Sequence, residues 1–244
     1  IKTLLAITHA PDRRTEPYNI VAELRDAKNV DVAGMVGRDE VELVLAGDLI
    51  ARIIAQTCRQ PGLSIVYSDL LSFEGDEIYF QEEPALVGKT LREALFKYES
   101  SCIIGLHPAG QAPLVNPPLD TRIGQGDRLI AISADDDTVV LSQRSDYAIK
   151  NEAIRNQGAQ PSGPERALIL GWNWRATSII NELDNYVAPG SFIHVVADYP
   201  EVEDVIAAQC SGLKNQTLTF TKGDTTDRRM LDSLDIPGYS HIIT

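Results

Sequence analysis

The stretch ALILGWNWRA, residues 167–176, decides the fold of the second half of this chain. Its first four residues are apolar and predict a buried strand, and the residues that follow have the apolar spacing of a helix. A dinucleotide-binding fold places its glycine-rich phosphate loop at such a transition from strand to helix. The sequence therefore predicts an α/β unit with a parallel sheet, in which residues 171–176 form the loop.

This loop departs from the pattern G-x-G-x-x-G of nucleotide-binding folds. Gly171 supplies the first glycine, Asn173 replaces the second, and Ala176 stands at the third. The second glycine lets the backbone approach a pyrophosphate, and an asparagine side chain projects into that space. Asp198 and Asp224 follow the next two predicted strands, where carboxylates face the ribose and the base in such folds. A working nucleotide site and a loop kept for architecture both stay open, and the replaced glycine favours the second.

Both tryptophans of the chain, Trp172 and Trp174, lie in this loop. Large aromatic side chains contribute most to packing and to interfaces, and only rarely serve as stacking surfaces for a base. We therefore expect packing or interface anchors here, and we do not expect NAD or another nucleotide as a resident cofactor.

Composition narrows the class of protein. The chain has 244 residues, of which 43% are hydrophobic and 23% charged, as in a soluble globular protein with room for two domains. A net charge of −13 argues against a nucleic-acid partner, which would need a basic face. Three cysteines without a pairing pattern indicate a reducing, cytoplasmic setting. Because the chain begins at Ile1 without an initiator methionine, we expect it to be a piece of a larger protein.

The alternation of apolar runs and turn residues divides the chain into four parts. Residues 1–74 read as the later part of a first parallel α/β lobe followed by a crossover helix. Residues 75–141 read as a small α+β lobe, residues 142–164 as a polar linker, and residues 165–244 as the beginning of a second α/β lobe. The fold class predicted is therefore α/β, with two partial Rossmann-like lobes around a small α+β lobe.

Three predicted elements are specific enough to be tested directly. Residues Ile1–Thr8 form a short apolar run that favours a buried strand. Residues Thr90–Tyr98 have the spacing of a short helix. Asp48 is positioned to cap a third element, a helix whose expected buried face is formed by Leu49, Ile50, Ile53, Ile54 and Thr57.

Few residue patterns indicate chemistry. Gly88-Lys89-Thr90 imitates the end of a P-loop, but Glu83 stands where that motif needs glycine, so a helix start is the better interpretation. The four histidines are scattered and give no metal-ligand spacing. Acidic clusters remain as candidate calcium ligands or as solvated surface. They are Glu74, Asp76 and Glu77, and Asp135, Asp136 and Asp137.

Three stretches together resemble an RCK module, the regulator of conductance of K⁺ that pairs a Rossmann lobe with a small C-terminal lobe. They are AQTCRQPGLSIVYSDLL (55–71), EEPALVGKTLREALFKYESSCIIGL (82–106) and GQGDRLIAISADDD (124–137). GDEIYF (75–80), the end of the third stretch and ALILGWN (167–173) favour the CASTOR/POLLUX family of cation channels, with a bacterial-type member expected. The resemblance covers nearly the whole chain.

The resemblance implies a gating domain on the cytoplasmic face of the cell membrane. In this family two RCK units per subunit assemble as a tetrameric ring of identical subunits beneath a pore domain, so other RCK units and the pore are the partners expected. Calcium is the effector most associated with such rings, while Trk-type relatives bind NAD or ATP. Carried over to this sequence, the nucleotide positions are Gly171, Asn173, Ala176, Asp198 and Asp224. The calcium candidates remain the two acidic clusters.

Two alternatives stay open beside a channel gating domain. One is an NAD-binding regulatory subunit of a Trk-type K⁺ transporter. The other is a fragment of an NAD-dependent oxidoreductase, which would need a general acid or base near the nicotinamide. The middle lobe offers only His107, in a turn rich in proline and glycine. We therefore expect no enzymatic activity and no catalytic residues.

Overall fold

A computed structural model describes residues 1–144, 147–155 and 163–244. The chain forms two compact units, the first from Ile1–Pro61 together with Gln160–Thr244, and the second from Gly62–Ala159. No helix in the described ranges is both long and apolar enough to cross a bilayer. The predicted linker, residues 142–164, lies partly outside the described residues.

The helices and strands follow in chain order. Up to residue 61 they are α1 (Lys2–Thr8), β1 (Ile20–Leu24), α2 (Val30–Gly37), β2 (Val41–Leu45) and α3 (Ala46–Arg59). The second unit contains α4 (Leu63–Leu70), β3 (Glu77–Glu82), α5 (Leu91–Leu95), β4 (Cys102–His107), β5 (Leu114–Val115) and β6 (Arg128–Ser133). The remainder consists of β7 (Arg166–Leu170), α6 (Ala176–Asp184), β8 (Ser191–Ala197), α7 (Val202–Gln209), β9 (Gln216–Lys222), α8 (Arg228–Ser233) and β10 (His241–Ile243).

The predicted α/β class is confirmed by a parallel sheet with the strand order β10-β7-β8-β9. Its central strands are apolar on both faces, so Leu168, Ile193 and Val195 are completely buried. Parallel strands need crossover connections, and α6 and α7 supply them between consecutive strands. Strand β10, which follows α8, pairs with β7 on the side opposite β8. This reversal of the strand order is expected of a Rossmann-like fold.

The four-stranded parallel sheet is called the second sheet, because β1 and β2 form a separate two-stranded sheet earlier in the chain. Helix α3 packs into the core of the second sheet, although more than a hundred residues separate the two in the chain. Ala51 and Ala55 are completely buried in one apolar cluster with Ile179, Ile180 and Leu183 of α6. Small side chains on α3 let the two helix backbones approach closely. The first unit is therefore held together by α3 as well as by its sheets.

The predicted face of α3 is only partly right, because Ile54 packs against the core cluster and Ile53 and Thr57 are partly buried, but Leu49 and Ile50 are not. Leu49 is 51% exposed and Ile50 is 36% exposed, whereas the buried positions are Gly47, Ala51 and Ala55. Hydrophobic periodicity selects the large side chains, but close packing against α6 selects the small ones. The helix also begins at Ala46, so Asp48 lies inside its first turn and pairs with Arg52 at 2.9 Å instead of capping it.

The predicted strand at residues 1–8 is wrong as well, because these residues form α1. Leu4 and Thr8 are buried one helical turn apart, and the Thr8 hydroxyl donates to the Leu4 carbonyl at 2.8 Å. Leu4 packs with Leu24 of β1 and Ala33 of α2 in a small separate cluster. Strands β1 and β2 pair in parallel beside it, as their sequence predicts.

The second unit is an antiparallel sheet of order β3-β6-β4-β5 covered by α5, in agreement with the predicted α+β lobe. Helix α5 is shorter than predicted. Thr90 and Glu93 form a reciprocal capping box at its start, and hydrogen bonds from Thr90 lower the pKa of the Glu93 carboxyl. Tyr98 is buried beyond the end of the helix, while Leu95 remains 36% exposed.

Overpacking the contact between α3 and α6 provides a test of this architecture. We expect Ala51→Leu to lower the free energy of unfolding of the first unit by about 1–3 kcal/mol, because Ala51 is buried in the core cluster and a larger side chain would overpack it. Urea titration followed by tryptophan emission reports this unit, which contains both tryptophans. The control is Ala208→Leu on the exposed face of α7. Equal stability of the two variants would contradict the packing described.

Candidate functional site

The loop between β7 and α6 has the backbone geometry of a Rossmann turn. Gly171 adopts a left-handed conformation with φ of 96°, which glycine adopts without a steric penalty. Its N–H donates to the Val196 carbonyl of β8 at 2.8 Å. Ala176, at the third glycine position, is only 3% exposed where α6 packs on the sheet. Two of the three positions of the glycine pattern therefore keep their structural roles.

Asn173, at the second glycine position, is used to close the turn. Its side-chain oxygen accepts a hydrogen bond from the Arg175 N–H at 2.8 Å, and its carbonyl accepts one from the Ala176 N–H at 3.0 Å. Both bonds are local to the loop. The asparagine side chain thus takes up an N–H group at the start of α6, where a phosphate would bind in a dinucleotide fold.

The two predicted carboxylates follow neighbouring parallel strands and lie at the same edge of the sheet as the loop. Asp198 follows β8 and lies 3.7 Å from the ammonium group of Lys222. Asp224 follows β9 and accepts hydrogen bonds from the N–H and the hydroxyl of Thr226 at 2.8 and 2.7 Å. These bonds lower the pKa of Asp224. The fold therefore brings the predicted residues to one edge, where each carboxylate already has a local partner.

The tryptophans serve the packing of the first unit. Trp172 packs against the core cluster that contains Ala51 and Ala55. Trp174 is 59% exposed, and its ring lies so close to Gly47 that a Cβ atom there would stand 2.5 Å from it. The guanidinium of Arg175 lies 4.3 Å from the centre of the Trp174 ring. The loop is thus attached to the first turn of α3 through an aromatic side chain, in agreement with the packing interpretation.

A cavity of about 460 Å³ opens beside this contact, within the first unit. The Nε atom of Arg175 is buried at its wall and has no hydrogen-bond partner among the described residues. The sequence did not predict this cavity, because the lining residues Arg25, Gly47 and Arg175 do not belong to any nucleotide-binding pattern. A cation and an aromatic face in one cavity suit a small anionic or aromatic group. The lining residues are Glu23, Arg25, Ala46, Gly47, Ile50, Trp174 and Arg175.

The structure assembles one of the two predicted acidic clusters. The carboxylates of Asp135, Asp136 and Asp137 can place an oxygen atom each within 4.8 Å of one another, and all three residues are exposed. Among the residues that the structure describes, this is the one grouping of potential metal ligands with such a spacing. Glu74 and Asp76 are not part of it.

Glu77, from the other predicted cluster, lies close to these aspartates in the second unit. It pairs across the sheet with Ser133, and its carboxylate accepts a hydrogen bond from the Tyr79 hydroxyl at 2.7 Å. That hydrogen bond, together with desolvation and the negative charges of Glu77, Asp135 and Asp136, raises the pKa of Tyr79 to about 12. Tyr79 is therefore affected by Glu77 of one predicted cluster and by Asp135 and Asp136 of the other, near the start of β3 and the end of β6.

Comparisons with known proteins show that the chain is similar to proteins named as ion channels in plants. Residues 47–149 match the family described as Castor and Pollux, part of voltage-gated ion channel. Over its full length the chain is 31% identical to the probable ion channel CASTOR of Oryza sativa subsp. japonica and 30% identical to the ion channel CASTOR of Lotus japonicus. It spans 28% and 29% of the lengths of those two proteins.

The fold is shared with a solved gating ring. The human SLO3 gating ring superposes with a TM-score of 0.61 at 12% identity, covering 92% of this chain and 49% of that one. At this identity the likeness concerns the fold alone. The predicted RCK architecture and the predicted resemblance to CASTOR and POLLUX are both confirmed.

We expect NAD and NADH at millimolar concentration to raise the melting temperature of the chain little, because Asn173 fills the position of the second glycine. Thermal unfolding followed by tryptophan emission measures the shift. Asn173→Gly tests the cause, since removal of the side chain frees the N–H of Arg175 for a phosphate. Saturable stabilisation of the unsubstituted chain by NAD, abolished by Asp198→Ala, would contradict the architectural interpretation.

Proposed function

We propose that this chain, a segment of a CASTOR/POLLUX family protein, belongs to a cytosolic gating domain that senses a ligand and controls a cation pore. The observation that carries the proposal is the similarity to CASTOR over the whole chain, combined with the fold of a gating ring. Because the relatives are named as ion channels, a regulatory role without catalysis follows most directly. Pore opening then requires a ligand whose affinity differs between two conformations.

Calcium is the ligand that the acidic residues support best. The ion binds six to eight oxygen atoms and takes them readily from carboxylates. Asp135, Asp136 and Asp137 supply closely spaced oxygens, and Glu77 adds a carboxylate nearby. Glu74 and Asp76 precede the same strand and remain candidate ligands on the connection that leads into it. The excess of negative charge on the chain adds a general attraction for a divalent cation.

The two alternatives have weaker support. A nucleotide-binding regulatory subunit of the Trk type would use the loop at Gly171, where Asn173 bonds to the N–H of Arg175. An oxidoreductase would need a free acid or base, and His107 is instead bonded to the guanidinium of Arg128 at 2.9 Å. Calcium sensing therefore remains the primary proposal for the ligand.

Self-association is the second part of the proposal. Helix α4 and the residues after it leave large apolar side chains in water, which a monomer would normally cover. Leu71 is 79% exposed and Phe73 is 91% exposed, and Ile65 and Val66 belong to the same surface. We propose that this α4 surface packs on another RCK unit of the same protein, in a ring of identical subunits on the cytoplasmic side of the membrane.

Calorimetry with calcium tests the ligand. We expect Asp135→Asn, Asp136→Asn and Asp137→Asn together to abolish the heat of calcium binding, because asparagine keeps the shape of each side chain but removes its charge. Magnesium is the ion control. A variant matched in charge is Glu201→Gln, Glu203→Gln and Asp204→Asn at the start of α7, which should bind calcium like the unsubstituted chain. If titration of the unsubstituted chain with calcium gave no more heat than titration with magnesium, calcium sensing would be refuted.

The same substitutions in the full-length protein test gating. Ion flux through liposomes that contain it should respond to calcium, and the three asparagines should remove that response while the α7 variant keeps it. A protein that conducts no cations under any calcium concentration would refute the channel proposal itself, independently of the ligand.

Sedimentation velocity tests the assembly. We expect the chain to form dimers or larger species at high micromolar concentration, and Leu71→Ser with Phe73→Ser to shift it towards monomer because the α4 surface loses its apolar area. Val87→Ser with Val115→Ser, two exposed positions elsewhere in the second unit, is the control. A strictly monomeric chain, or an unchanged distribution in the α4 variant, would contradict this interface.

A further inference from the structure

His241, the first residue of β10, lies between two groups that only accept hydrogen bonds. Its Nδ1 atom is 3.0 Å from the carbonyl oxygen of Cys58, at the end of α3. Its Nε2 atom is 3.0 Å from a carboxylate oxygen of Glu165, just before β7. The side chains of His241 and Glu165 are only 18% and 15% exposed, so water replaces neither contact easily. One imidazole ring therefore connects α3 to the edge of the second sheet.

The chemistry of the ring makes this connection depend on protonation. A neutral imidazole carries one N–H and one lone pair, so between two acceptors it makes one hydrogen bond and directs its lone pair at the other oxygen. The doubly protonated ring donates to both oxygens and forms an ion pair with the carboxylate. Both observed contacts are thus satisfied only by the charged form.

The surroundings keep Glu165 available as the acceptor. The guanidinium of Arg59 donates to both of its carboxylate oxygens, at 2.8 and 2.9 Å, which fixes the carboxylate on the side of α3. The thiol of Cys58 stays neutral, since burial raises its pKa. The charged and titratable groups that face or flank His241 are Arg59 and Cys58 of α3, and Glu165 and Arg166 at the start of β7.

His194, on β8 of the same sheet, provides an internal contrast. Its two ring nitrogens lie 2.8 Å from the hydroxyls of Tyr239 and Thr221, and a hydroxyl either donates or accepts. A neutral ring therefore satisfies both contacts. Burial, and then the positive charge of Arg166, lower the pKa of His194. The two histidines of this sheet thus face different partners, hydroxyls around His194 and acceptor oxygens around His241.

We infer that His241 is a proton-dependent latch, which fastens the end of α3 to the β10–β7 edge when the ring is charged and loosens it when the ring is neutral. Because α3 carries Ala51 and Ala55 into the core of the second sheet, protonation changes how firmly that helix is held. This inference does not depend on the proposed channel function.

Melting temperatures measured between about pH 5.5 and 8, the range in which histidines titrate, test the latch. Tryptophan emission follows the first unit in the unsubstituted chain, in His241→Gln and in His194→Gln. We expect the unsubstituted chain to melt at a higher temperature than His241→Gln, and we expect this difference in melting temperature to be larger at the acidic end by about 2–4 °C. Its advantage over His194→Gln should change in the opposite direction, because a proton on His194 is unfavourable in the folded state.

Two further measurements separate the latch from a general loss of packing. Glu165→Gln should remove most of the pH dependence assigned to His241, since it removes the charge that the protonated ring faces. In the unsubstituted chain, hydrogen exchange of the last turn of α3, corrected for intrinsic rates, should slow as the pH falls. An advantage over His241→Gln that is independent of pH or grows towards alkaline pH, or exchange that shows no such slowing, would overturn the inference.

Discussion

The close approach of α3 to α6 is the contact on which the first unit depends. Ala51 and Ala55 lie one helical turn apart and have small side chains, so α3 packs closely on α6 over a cluster that includes the central strands of the second sheet, while Gly47 faces Trp174 of the loop. Any larger residue at the buried positions would hold the helices apart. The contact joins two segments far apart in sequence into one folded body, and the positions of the loop, its tryptophans and His241 all follow from it.

The Rossmann turn at residues 171–176 has been adapted to this packing. Gly171 and Ala176 retain the backbone conformation and the close helix–sheet contact that a nucleotide fold needs. Asn173 closes the turn with its own side chain, and Trp174 rests on Gly47 of α3. The loop is therefore engaged by contacts within the protein.

Charged side chains are arranged differently in the two units. In the second unit, the exposed carboxylates of Asp135–Asp137 and the partly buried carboxylate of Glu77 lie just after the end of β6 and at the start of β3. In the first unit, Arg59, Glu165 and His241 form a small, largely buried set that links α3 to the sheet. The first set lies at the surface, whereas the second is largely shielded from solvent, where an unpaired ion would carry a large cost of desolvation.

The sequence by itself determined the α/β class, most of the strands, the RCK resemblance and the loop at Gly171, because these depend on local periodicity and on backbone conformations that few residues adopt. Tertiary structure decided which face of α3 is buried and that residues 2–8 form a helix. Leu49 and Ile50 satisfy the periodicity of an amphipathic helix, yet the residues of α3 that are fully buried in the core cluster are Ala51 and Ala55. The set formed by Arg59, Glu165 and His241 was equally invisible, since its members are brought together by the folding of the chain and share no spacing in the sequence.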